Sequence, residues 1–265
     1  MRVTFRVGLV LLASLALLQA SVGLATAPAL PELENLHYRV DLPVWHDAAR
    51  VNLVLKQKGP GHYLGEATGT VQGPWRLLCR WLPVHYQTEM VYRQGRLQPL
   101  IYREQFRSGG KQISKEFRFD YDAGQLILHR QVEGRAVDKE WRTPLKGPIY
   151  DPLTLCYNLR LGAFGPMHPG ETLTLAGIPY PKPNEVILSI GQNREVMVTI
   201  KEKTDSAGEV PPLFISFDPQ WVPTLAWTRM PVLGRVIGLL VETKRGNGAL
   251  AASLGGVGPS RALTP

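Results

Sequence analysis

Four residues in one short stretch have the types and spacing to do chemistry: Asp151, Cys156, Tyr157 and Arg160. The carboxylate could cap a helix, the thiol could serve as a nucleophile, and the phenol and guanidinium could present donors to an anion. Tyr157 and Arg160 are three apart, so on a helix they share a face and could present two donors to an anionic ligand. Arg160 held by a carboxylate within a packed core is the other reading. Cys156 as a nucleophile would require a base, and His168 is the nearest histidine that follows it.

These side chains need an element to carry them, and the stretch predicts a helix over about 151–161. Asp151 is suited to the N-cap, since its carboxylate accepts from the free N–H groups of the first turn. Pro152 falls at the first helical position, where its missing N–H is harmless. Leu153, Cys156, Tyr157 and Arg160 follow at spacings of three and four. Leu155, Leu159 and Leu161 widen the apolar surface, so burial is expected on more than one side. Gly162, Gly165, Pro166, Pro169 and Gly170 end the element. Asp151, Pro152, Leu153 and Gly170 are therefore expected to be structural.

Other chemistry is not written here. The six histidines, at 37, 46, 62, 85, 129 and 168, have no metal-ligand spacing, and no metal or cofactor is expected. No nucleophile elbow, phosphate loop or dinucleotide fingerprint occurs. No catalytic residue is assigned. The two cysteines, Cys79 and Cys156, stand 77 residues apart. In an oxidising compartment they could form one disulfide; in apolar runs they could equally act as small hydrophobes. Six tryptophans, at 45, 75, 81, 141, 221 and 227, suit core and interface packing or an aromatic-lined groove for an apolar or carbohydrate ligand.

Residues 1–27 read as a signal peptide. Arg2 and Arg6 flank an apolar run from Val7 to Leu18, followed by small residues through Ala25-Thr26-Ala27. The run is short for a membrane span, so export to the periplasm is expected, with an inner-membrane signal anchor as the alternative. Removing Arg2 and Arg6 takes the net charge from +8 to +6. No Lys/Arg run is dense enough for a nucleic-acid stripe, and none is expected as partner.

Outside the helix the chain alternates polar and apolar residues, with turn signals every 8–12 residues or so. Lys58-Gly59-Pro60-Gly61, Gln94-Gly95-Arg96, Ser108-Gly109-Gly110 and Asp122-Ala123-Gly124 split successive strands. The expected fold is mainly β: a single curved antiparallel roll or barrel-like domain over 28–245, with one inserted helix. Two β lobes joined near residue 145 is the alternative. Residues 246–265 lack periodicity and read as a disordered tail.

Several segments resemble a bacterial envelope family catalogued as domain of unknown function 3108. They are Leu36-His37-Tyr38-Arg39-Val40, Gly95-Arg96-Leu97-Gln98-Pro99, Asp151-x-Leu153-x-x-x-Tyr157-x-x-Arg160 and Pro169-Gly170-Glu171. The resemblance runs from about Leu33 to Thr243 and is most specific at the helix. It implies a mostly β roll and an exported location, and it brings no activity. The chain departs from the pattern at the proline-rich Ile178–Pro183 and in the long stretch from Trp221 to Ile237.

The functional expectation is an exported, non-enzymatic protein that binds an amphipathic ligand or an envelope partner, such as a lipid. Tyr157 and Arg160 are its candidate ligand-binding residues. An envelope hydrolase acting on glycan or lipid, and an assembly protein without a small-molecule site, are the competing readings.

Overall fold

The computed structural model describes residues 30–73, 84–108, 110–135, 139–178, 184–201, 211–230 and 234–245. Cys79, Trp75, Trp81, the leader and the C-terminal tail lie outside these residues, and so does the pairing proposed for the two cysteines.

The strands are β1 (Glu32–Leu42), β2 (Trp45–Gly59), β3 (His62–Val71), β4 (Val84–Arg93), β5 (Arg96–Ser108), β6 (Lys111–Asp120), β7 (Gln125–Val132) and β8 (Lys139–Pro144). After β9 (Ile149–Tyr150) comes the helix α1 (Pro152–Arg160), then β10 (Thr172–Gly177), β11 (Asn184–Ile190), β12 (Glu195–Lys201), β13 (Leu213–Phe217), β14 (Pro223–Met230) and β15 (Gly234–Arg245). All fifteen belong to one open, curved sheet, in the order β8-β7-β6-β5-β4-β3-β2-β1-β15-β14-β13-β12-β11-β10-β9. This is the single roll with one helix, rather than two separate lobes. Nearly every neighbour is the next strand in the chain, because short turns join antiparallel partners. The exception is the β1–β15 seam; β9 and β10 are consecutive but pair in parallel, with α1 between them, and neither feature was in the sequence reading.

Alternation along the strands makes two unlike faces. Thr88, Tyr102 and Phe117 are register partners across β4, β5 and β6, and all three are buried on the inner face. Their neighbours Gln87, Arg103 and Glu116 pair on the outer face. There Arg103 binds Glu116 at 2.7 Å and Glu89 at 3.1 Å, and Lys58 reaches Glu89 at 2.6 Å. Burial raises the Glu89 carboxyl, but the hydrogen bonds and charges of Lys58 and Arg103 bring it below its ordinary range.

The inner face holds α1 and two apolar clusters. The larger packs Leu36, Leu55, Tyr63, Tyr102 and Phe117 against Leu153 and Tyr157. The smaller packs Val186, Leu188, Val196 and Phe217 against Leu155 and Leu159. The helix is thus buried on both sides, as its leucines predict.

Candidate functional site

The helix is placed by its two ends. Strand β9 pairs in parallel with β10 and leads directly into Asp151, so this pairing fixes where α1 begins. Asp151 caps it, its Oδ1 accepting from the Leu153 and Thr154 N–H groups at 2.9 Å each. Its Oδ2 accepts from the Thr154 hydroxyl at 2.5 Å and the Thr88 hydroxyl at 3.0 Å. The carboxyl is buried, with no cation paired to it among the described residues, and desolvation pushes its pKa up, partly offset by these four donors. At the other end Gly162 takes φ +66°, its N–H donates to the Leu159 carbonyl, and Ala163 N–H donates to the Asn158 carbonyl. This pair of bonds is a Schellman ending and uses the left-handed freedom of glycine. Further on, Gly170, at φ +91°, turns the chain so that its N–H donates to the Ile190 carbonyl at 2.8 Å.

One side of α1 is locked to β1–β5. Asn158 is fully buried and behaves as a surrogate strand: its Oδ1 accepts from Leu97 N–H and its Nδ2 donates to Leu97 O, both at 2.8 Å. Tyr157 lies against Gly65 so closely that a Cβ there would sit 3.0 Å from the Tyr157 ring and 3.1 Å from Thr88. Arg160 and Glu34 form a bidentate ion pair, with Nη2 to Oε1 at 2.6 Å and each side chain only 6% exposed.

The structure places Tyr157 and Arg160, the two candidate ligand-binding residues, against the sheet. Tyr157 has no exposed surface, and Arg160 spends its guanidinium on Glu34. They share a face, as the spacing required, but that face is the one pressed against the sheet. Among the described residues Tyr157 Oη and Arg160 Nε have no hydrogen-bond partner.

The other side of α1 stands off from the sheet and leaves a groove of about 220 Å³. The helix contributes Pro152, Leu155, Cys156 and Leu159 to one wall. Strands β11, β12 and β13 contribute Val186, Val198, Ile200, Leu213, Ile215 and Phe217 to the other. Gly177 keeps one end low, since a Cβ there would come within 2.7 Å of the Val186 side chain. Asp151, Asn184, the Tyr150 hydroxyl and the Cys156 thiol are the polar groups of the described lining residues, and no Lys or Arg is among them. Cys156 is half-buried, and desolvation raises its thiol above the ordinary range.

The sequence reading found the helical wall but missed the facing one. The alternation of β11 to β13 was visible; which of their faces would meet Leu155 depends on a fold-level pairing. Among the described residues no tryptophan lines the groove. Trp227 stacks on Phe214 at 4.0 Å with Arg235 above it, Trp221 packs on Phe217, and Trp45 is 39% exposed. They are distributed, not gathered into an aromatic cleft. His37, His46, His85 and His129 each sit beside one carboxylate. Among the described residues no cluster of His, Cys, Asp and Glu could hold a metal.

No curated protein and no solved structure matches the chain. A family model described as a protein of unknown function, DUF3108, matches residues 35–220. That span runs from β1 through the capped helix to the strands that wall the groove, and on it the chain belongs to the DUF3108 family.

Proposed function

We propose that this is an exported protein of the cell envelope that binds an amphipathic ligand without catalysing its conversion. The groove beside α1 carries the reading. An exposed channel lined by Leu155, Leu159, Val198, Ile215 and Phe217 leaves apolar surface in contact with water, and covering it with an apolar group is favourable. The ligand's apolar part lies there; its polar end stays outside, since Arg160, first considered for it, is bound to Glu34. The competing hydrolase reading needs a reactive group free to work. Asp151, the carboxylate on the described groove wall, already accepts from four donors.

Two measurements on the full chain test the reading. Fractionation of expressing cells is expected to place it in the periplasm, shortened by roughly 20–30 residues. Native mass spectrometry of protein purified without detergent is expected to show an added small amphiphile that leaves on unfolding. Full-length protein retained in the inner membrane would overturn the export reading. A bare mass, together with no uptake of any added amphiphile, would overturn the binding one.

A further inference from the structure

We infer that the groove takes one unbranched aliphatic chain of roughly nine carbons, and that it is indifferent to the charge of the headgroup. The inference rests on the binding reading above and narrows its ligand class.

Shape and capacity set the chain. The helical wall runs from Pro152 to Leu159, seven residues along the axis, or about 10 Å. An apolar cavity of about 150 Å³ accepts a benzene ring, so 220 Å³ scales to roughly nine carbons. Spread over a 10 Å length, that capacity is a thin channel. A fused ring system is too wide for it, and two chains exceed it. Ligand sites for larger molecules start near about 300 Å³.

Chemistry sets the indifference to charge. The described lining holds no Lys or Arg that could pair with a carboxylate or phosphate. Its single carboxyl, Asp151, is saturated by the Leu153 and Thr154 amides and two threonine hydroxyls, so it does not reach out to an ammonium. The nearby guanidinium of Arg160 is held in a bidentate pair by Glu34. Recognition therefore falls on the hydrocarbon.

The test is a binding series on the full chain, freed of bound amphiphile and kept below micellar concentrations. Linear carboxylic acids from about six to about fourteen carbons are compared by calorimetry with the alcohol and amine of ten carbons, and with cholate as a rigid amphiphile. Expected is an affinity that tightens roughly fourfold per added methylene and levels off near nine carbons. Acid, alcohol and amine of equal length should agree within a few-fold, and cholate should bind at least tenfold more weakly. Leu155→Trp and Ile215→Trp, each filling the groove from a different wall, should weaken ten-carbon binding at least tenfold while the melting curve stays cooperative. Cholate binding as tightly as the ten-carbon acid, affinity independent of chain length, or a large preference for one headgroup charge overturns the inference and leaves amphiphile binding standing. Failure of every amphiphile to bind overturns both.

Discussion

The two sides of α1 meet the same sheet under different rules. Toward β1–β5 the contact is closed: Gly65 removes a side chain to admit the Tyr157 ring, Asn158 satisfies both backbone groups of Leu97, and Glu34 neutralises Arg160. Toward β11–β13 the contact is made by apolar side chains alone and stops short, leaving the 220 Å³ groove. Directional bonds on one side fix the height of the helix above the sheet. A purely apolar contact could otherwise collapse to close the space, because burial is favourable and non-directional. The clamp on one side is thus what keeps the other side open.

Breaking the clamp is expected to have the largest effect. Arg160→Ala leaves Glu34 charged, buried and without its guanidinium, and should cost about 3–5 kcal/mol in urea unfolding. Replacing both partners by apolar residues, Arg160→Met with Glu34→Leu, should restore most of that loss. A midpoint unmoved by Arg160→Ala would remove the ion pair from the comparison and return Arg160 to consideration as a ligand residue.

The next test contrasts two leucines two residues apart. Leu153 is 7% exposed and packs into the larger cluster, so Leu153→Ala should cost about 2–5 kcal/mol. Leu155 is 9% exposed and borders the groove, where the space left by truncation opens to water rather than forming a sealed void. Leu155→Ala should fall at or below the bottom of that range. Equal losses at the two positions would mean that the groove side is as tightly packed as the clamped side.

The smallest effect sharpens the comparison through pH. The folded state raises the Asp151 carboxyl above its ordinary value through burial. The native state therefore holds this proton more tightly than the unfolded one, and stability falls as pH rises from about 4 through the folded-state value. Asp151→Asn removes that proton, so the stability difference, wild type minus variant, should shrink with rising pH. A difference that grows with pH would show that the four donors outweigh desolvation. The outer-face carboxylate Glu89 acts in the opposite sense, because its folded-state value is lowered.

Local chemistry was legible in the sequence, and distant pairing was not. Asp151-Pro152 marked the start of α1 and Gly162 its end, because capping needs only neighbours along the chain. Gln94-Gly95 marked the β4–β5 turn, where both residues adopt positive φ. Three features lacked a local signature. Strand β9 is two residues long, too short to show alternation. Glu34 lies 126 positions from Arg160, and nothing near either names the other. Gly65 reads as an ordinary small residue in a strand until the Tyr157 ring is seen against it. The groove was hidden for the same reason, since it exists only between a helix and strands separated from it by tens of residues.

The seam between β1 and β15 bears on the order of assembly. Most hairpins on either side close over a few residues and can form as the chain emerges, whereas β1 pairs with β15 across almost the whole described sequence, Glu34 with Arg245 and Asp41 with Ile237. Loop closure makes such a pairing slow relative to the hairpins. In a chain delivered N-terminus first, β1 is among the earliest strands to arrive and its partner among the last. Until β15 arrives, one side of β1 is a bare strand edge able to pair with another molecule. The molecule is thus most prone to self-association while it is nearly complete, and a truncation within β15 would make that interval permanent.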